Sequence, residues 1–226
     1  MVLLPRLYPI LDAACFSDEM ALFVAAESFT AAGCALIQYR NKSGNARQML
    51  EQARELKRRL LGVERQTSRV SQRTRDMGHP NIVNSVKLIM NDRADLCLAA
   101  GFDGVHVGQD DLSPESVRKI IGTERWLGVS THNPEQVAEA DKTSADYLAI
   151  GPVFATSSKE NPDSVVGLEG VRRARQLTSK PLVAIGGITR ANAASVIEAG
   201  ADSVAVISDL LPEPRKSAEE FFLILR

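Results

Sequence analysis

Short apolar runs rich in β-branched residues recur along the whole chain, and each ends abruptly on glycine or polar residues. They are LYPIL from Leu7, CALIQYR from Cys34, VKLIMN from Val86, GVHVGQ from Gly104, WLGVST from Trp126, YLAIGPVF from Tyr147, PLVAIGG from Pro181 and SVAVIS from Ser203. Between them lie segments with helical spacing: Glu19 to Ala32, Ala46 to Leu61, Pro134 to Lys142, Gly170 to Leu177 and Ala191 to Ala199. The alternation predicts parallel strands joined by crossover helices. Eight such units predict a closed (β/α)8 TIM barrel, an α/β fold, in preference to an open doubly wound sheet.

Punctuation supports these cuts. Ser113-Pro114 and Asn133-Pro134 each place a capping side chain before a first-turn proline. Gly33, Gly101 and Gly200 follow Ala-rich stretches where helices should stop. One segment breaks the rhythm. From Gly62 to Ser85 the chain is polar and carries Arg65, Arg69, Arg73 and Arg75, directly after Lys57, Arg58 and Arg59. The fourfold arginine spacing suits a basic helical face toward an acidic partner. Without an aromatic platform, the segment reads rather as a solvated insertion between a helix and a strand.

Length and composition narrow the class. The chain has 226 residues, 44% hydrophobic and 24% charged, enough for a sizeable core and an ordinary soluble surface in one domain spanning residues 1–226. A net charge of −1 offers no broad attraction to nucleic acid or to a membrane surface. Cys15, Cys34 and Cys97 are scattered among apolar neighbours without metal-binding spacing and read as reduced thiols. The N-terminal MVLLPRLYPILD is interrupted by Pro5 and Arg6, and no apolar window is long enough to span a bilayer, so a cytoplasmic protein is expected. A homo-oligomer is left open.

Candidate chemistry collects at the strand ends, which in a barrel open onto one face. The stretch LIMNDRADL ends a buried run on Asn91, Asp92 and Arg93; Asp92 reads either as a helix cap or as a ligand. Asp111, in HVGQDDL, is not needed as a cap because Ser113-Pro114 already starts the next helix. Adjacent strands are about 4.8 Å apart, so the two carboxylates suit one hard cation, magnesium, completed by phosphate oxygens and water. QYRNK supplies Gln38, Arg40 and Lys42, with Arg40 and Lys42 on the same side in an extended chain and suited to a diphosphate. GVSTH supplies Ser130, Thr131 and His132, the last either a proton-transfer group or a hydrogen-bonded loop histidine. His79 and His106 carry weaker cases. GPVFATSSKE combines Thr156, Ser157, Ser158 and Lys159 in a loop suited to closing over an anion, where Lys159 neutralises phosphate better than it serves as a Schiff-base nucleophile. Gly186 and Gly187, with Ile207 and Ser208, match the barrel device of binding phosphate through backbone amides after strands seven and eight.

Taken in order, QYRNK, MNDRADL, GVHVGQDDL, GVSTH, GPVFATSSK, AIGGIT and VAVIS resemble the thiamine-phosphate synthase family across nearly the whole chain. The resemblance implies a transferase that joins hydroxymethylpyrimidine diphosphate to a thiazole phosphate with release of pyrophosphate. It implies that Gln38, Tyr39, Arg40, Asn41, Lys42, Asn91, Ser130 and Lys159 bind the pyrimidine diphosphate, with Arg40, Lys42, Ser130 and Lys159 as the catalytic set. Asp92 and Asp111 would hold magnesium, and Thr156, Ser157, Ser158, Gly187, Ile207 and Ser208 the thiazole phosphate. Three departures from the family pattern are Tyr39, where a smaller aliphatic residue is usual, Ser158 in place of a threonine, and the long 62–85 insertion. A thiazole tautomerase, needing a single phosphate site, and a non-catalytic regulatory barrel that binds a phosphate ligand are the competing readings.

Overall fold

The computed structural model describes residues 2–74, 86–156 and 164–226, with the side chains of 62–74 left aside. The eight apolar runs form strands β1 (Leu7–Asp12), β2 (Leu36–Arg40), β3 (Lys87–Asn91), β4 (Gly104–Val107), β5 (Trp126–Thr131), β6 (Tyr147–Ile150), β7 (Leu182–Ile185) and β8 (Ser203–Val206). All pair in parallel in sequence order, and β8 returns to β1 to close the barrel. Helices α1 (Glu19–Ala32), α2 (Ala46–Thr74), α3 (Ala94–Ala100), α4 (Pro114–Ile121), α5 (Pro134–Asp141), α6 (Gly167–Leu177), α7 (Ala193–Glu198) and α8 (Pro214–Ile224) surround it. The TIM barrel expected from the alternation is the fold.

Strand pleating sorts the side chains into two cores. In β2, Leu36 faces the barrel interior with Tyr8, Ile10, Ile89, Tyr147, Ala149, Val183 and Ala205, whereas Ile37 and Tyr39 pack outward against the helices. Full burial of such aliphatic and aromatic side chains stabilises by roughly 1.5–3 kcal/mol each. The predicted caps are present: the backbone N–H of Ser116 donates to Ser113 Oγ (3.3 Å) and that of Gln136 to Asn133 Oδ1 (2.9 Å). Gly33 and Gly101 end α1 and α3 in the left-handed region, where a Cβ would be strained.

The lower rim of the barrel carries a device the hydrophobic pattern hid. Just before β4, β6 and β8 stand Asp103, Asp146 and Asp202, each accepting a hydrogen bond from the first backbone amides of the preceding strand: Leu88 N to Asp103 (2.9 Å), Leu127 N to Asp146 (2.7 Å) and Leu182 N to Asp202 (2.8 Å). Each carboxylate also meets a cation, Lys87, Arg118 or Arg175. These aspartates are structural, and their place at the strand starts separates them from the acids at the strand ends.

The expected loop after Leu61 is corrected in part. Helix α2 continues to Thr74, because Gly62 alone costs only about 1 kcal/mol in a helix and no proline follows it before that point. Residues 75–85, including Arg75 and His79, lie outside the described residues. Elsewhere the differences are small: α6 starts at Gly167 and α7 at Ala193. Helix α8, which the periodicity did not single out, begins with Pro214 in its first turn.

Candidate active site

Asp92 follows the last residue of β3 with φ +61°, the left-handed region that an L side chain enters at a cost of about 1–3 kcal/mol. The conformation is held by its own N–H, which donates to the His106 carbonyl (2.8 Å), and by Arg93 N–H donating to the Asn91 carbonyl (2.7 Å). It does not cap α3: the cap position is Arg93, without a side-chain capping bond. Strain therefore serves the direction of the carboxylate. That carboxylate meets Lys42 Nζ at 3.1 Å and lies near enough to Asp111 to feel its charge. Partial burial and the Asp111 charge raise its pKa, against the pull of Lys42. Asp111 is in turn fixed by Gly108 N–H, which donates to its Oδ2 (2.7 Å).

Two converging acids beside one ammonium group are an electrostatically incomplete cluster that another cation would satisfy. Among the described residues no group of three or more His, Cys, Asp or Glu could hold a metal ion. A pair of hard carboxylate oxygens nevertheless fits magnesium, which keeps several waters and takes its remaining ligands from substrate phosphate.

On the neighbouring strands, Arg40 pairs with Asp12, a nearly fully buried acid at the end of β1. Asp12 escaped the sequence reading, although LYPILD ends an apolar run on a carboxylate just as LIMND does. Tyr39, grouped with the substrate-binding residues through QYRNK, points the other way. Its side chain is buried against the helices, and its hydroxyl donates to Gln52 Oε1 on α2 (2.5 Å). Burial pushes that phenol up to about 12. Asn41 also turns away from the barrel axis: its amide donates to Gln52 Oε1 (3.0 Å), and its Oδ1 accepts from Ser43 N (3.1 Å) and Gly44 N (2.8 Å). Together Tyr39 and Asn41 brace the turn that carries Lys42 to Asp92. The same-side expectation for Arg40 and Lys42 thus yields two adjacent ion pairs.

Inside the barrel a polar column runs from Gln38 to Ser130, near the mouth. Gln38 Nε2 donates to Tyr8 Oη (3.0 Å), Tyr8 and Tyr147 share a hydrogen bond (3.1 Å), Tyr147 Oη meets His106 Nδ1 (3.1 Å), and His106 Nε2 meets Ser130 Oγ (2.8 Å). Burial raises both tyrosines and lowers His106 to about 4, so the imidazole is neutral near pH 7. Gly128 makes room: a Cβ there would lie 2.2 Å from Tyr147 Cζ and 2.3 Å from His106 Nδ1. His132 sits apart, with Nδ1 2.6 Å from the Gly151 carbonyl, an acceptor only, so that nitrogen carries the hydrogen.

Across the mouth, the segment after β6 is stitched to β7. Val153 N–H donates to the Ile185 carbonyl (2.9 Å) and Phe154 N–H to that of Gly186 (3.0 Å). Gly187 has φ +62°, and a Cβ there would sit 2.5 Å from the Ala155 carbonyl. Asp209 accepts from Arg190 N (2.8 Å) and Nε (3.0 Å), binding the β7 loop to the turn Ser208–Leu210 that follows Ile207. Arg190 and Asp209 were not singled out from the sequence. Thr156 is half-buried at the edge of this side, while Ser157, Ser158 and Lys159 lie outside the described residues.

A sequence profile described as thiamine monophosphate synthase matches residues 63–210. The thiamine-phosphate synthase of Koribacter versatilis is 57% identical over 225 residues, covering 98% of this chain and 96% of its own. The chain belongs to the thiamine monophosphate synthase family. A second member, from Chloroflexus aurantiacus, is 42% identical and covers 90% of this chain and 83% of its own length. The solved thiamine phosphate pyrophosphorylase from Pyrococcus furiosus superposes with a TM-score of 0.77 at 31% identity, over 97% of this chain and 95% of that one. Membership of the thiamine monophosphate synthase family agrees with the resemblance carried by the ordered strand-end motifs.

Proposed function

We propose that the chain is a thiamine-phosphate synthase that couples hydroxymethylpyrimidine diphosphate to thiazole phosphate and releases pyrophosphate. The observation that carries this reading is the Asp92, Asp111 and Lys42 cluster on one wall of the barrel mouth, facing a glycine- and amide-rich wall after β7 and β8. Two phosphate-bearing substrates need two such walls. Asp92 and Asp111 would hold magnesium, which when bound neutralises charge on the departing pyrophosphate.

Gln38 would orient the pyrimidine, and Ser130, Lys42 and Arg40, with Asn91 and Lys159, would hold the diphosphate. Gly187, Ile207 and Ser208, with Thr156, Ser157 and Ser158, would seat the thiazole phosphate. The C–O bond to pyrophosphate breaks and its electron pair leaves with the anion. The electron-rich aminopyrimidine carries positive charge on the exocyclic methylene, and the thiazole nitrogen lone pair forms the new C–N bond. The protein's part is to position the partners and exclude water. No helix among the described residues is long and apolar enough to cross a membrane. The proposed substrates are small molecules, and the cytoplasm is the proposed place of the reaction.

The test is pyrophosphate release from the purified chain. Turnover requiring both substrates and magnesium is expected, with Asp92→Ala and Asp111→Ala each lowering it by about 100-fold or more, the scale of losing one well-placed electrostatic group. Near-normal rates in both variants reject the metal assignment. Isomerisation of thiazole phosphate alone would favour the tautomerase, and ligand binding without turnover the regulatory barrel.

A further inference from the structure

The column from Gln38 to Ser130 has a direction. The Tyr8 hydroxyl has two partners, Gln38 and Tyr147. Gln38 donates to it, so the Tyr8 proton is used only if it goes to Tyr147. The Tyr147 oxygen then accepts from Tyr8, and its own proton goes to His106 Nδ1 at 3.1 Å. His106 must therefore carry its hydrogen on Nε2 and donate it to Ser130 Oγ at 2.8 Å. The reverse order leaves the buried Tyr8 donor without an acceptor, a penalty buried donors avoid. At the far end Ser130 accepts from His106, so its hydroxyl hydrogen is turned toward the barrel mouth. Gly128 keeps the junction of the two rings open, since a Cβ would meet Tyr147 and His106 at 2.2–2.4 Å.

We infer that Tyr8, Tyr147 and His106 are positioning residues: a donor chain of fixed polarity that presents Ser130 as a hydrogen-bond donor to the leaving diphosphate and ties that orientation to the Gln38 amide. This inference deepens the proposed function, and its catalytic arm rests on that reading. Its structural arm does not. The chain never transfers a proton in the reaction; it sets which group donates, so Ser130 does not reorient as negative charge develops. His132, just past the end of β5 and bonded to the Gly151 carbonyl, lies outside it.

Two experiments decide it on the full-length protein. Nitrogen-15 NMR of the histidines near pH 7 should show His106 as the Nε2–H tautomer, and Tyr147→Phe, which removes the donor to Nδ1, should release that preference. An Nδ1–H tautomer in the unaltered protein, or no tautomer change in Tyr147→Phe, overturns the chain whatever the enzyme does. In steady-state assays, Tyr147→Phe should lower kcat on the order of tenfold, with the KM for thiazole phosphate unchanged, the size expected for one lost charge-directed hydrogen bond. The same substitution in a Ser130→Ala background should cost less than twofold more, because the chain then has nothing to orient. Equal losses in both backgrounds would mean mere packing and sink the positioning role. An unaltered protein that makes no thiamine phosphate, yet shows the expected tautomer, would defeat the functional reading and spare the chain.

Discussion

Burying His106 in the barrel mouth imposes a pH dependence on folding stability that can be worked out in advance. Its imidazole is held near pKa 4, against 6.5 for an ordinary histidine, chiefly by desolvation, with the Asp111 charge pulling weakly the other way. Above about pH 6.5 neither the folded nor the unfolded chain protonates it and it has no effect. As the pH falls, the unfolded chain takes up the proton first, so stability drops through the window from about 6.5 to 4 and levels off below it. The gap of about 2.5 pKa units corresponds to about 3 kcal/mol in full, and about 2 kcal/mol of it is lost by pH 5. Asp92 works in the opposite sense: its raised pKa lets the folded chain bind a proton before the unfolded one, which favours folding as the pH falls toward its unfolded value. The comparison that isolates the histidine is urea unfolding at about pH 7 and 5, with a chelator present, of the unaltered protein and of His106→Gln. The variant should lose about 2 kcal/mol less on acidification. Equal losses in the two proteins would refute the buried, neutral imidazole.

Three further outcomes follow from the geometry. Gly128→Ala should destabilise by about 1–3 kcal/mol in urea unfolding, because its Cβ would overlap Tyr147 and His106; a change within experimental error would mean the two rings are not held together. Asp146→Ala should cost about 1–3 kcal/mol by unpairing Leu127 N–H and removing the ion-pair partner of Arg118, with the KM for both substrates unmoved, and a KM effect would place this aspartate in the wrong class. Thiol labelling of the folded protein should modify Cys15, which is exposed, while Cys34, buried and pushed up to about 12, reacts only on unfolding; fast native labelling of Cys34 contradicts its burial.

Much of this was legible in the residues themselves. The eight strands and the capped starts of α4 and α5 follow from local signals, because a buried parallel strand must be apolar on both faces and a helix must satisfy its first amides. Asp92 and Asp111 stood out because an acid directly after a buried run needs a partner. What stayed hidden depends on pairing across strands. Nothing local says that Asp12 neutralises Arg40, or that Tyr8 and Tyr147, 139 positions apart, meet inside the barrel. Tyr39 and Asn41 were misread because motif membership ignores the two-residue alternation of a strand, which sends every second side chain to the helices. The helical stretch of α2 beyond Leu61 is hidden because a polar run without apolar periodicity resembles a loop, although arginine, glutamate and glutamine favour helices.

The three carboxylate latches on the lower rim divide the molecule into modules. They join β3 to β4, β5 to β6 and β7 to β8, but no aspartate precedes β2, β3, β5 or β7 in the same role. A new pair of termini opened between α4 and β5 would leave all three carboxylate–amide bonds inside one fragment and part only Arg118 from Asp146, whereas a break between α3 and β4 would part Leu88 from Asp103. Circular permutants and complementing halves of this barrel should therefore tolerate the first cut far better than the second, and the chain reads as a tandem of two-stranded building blocks as much as a ring of eight equal ones.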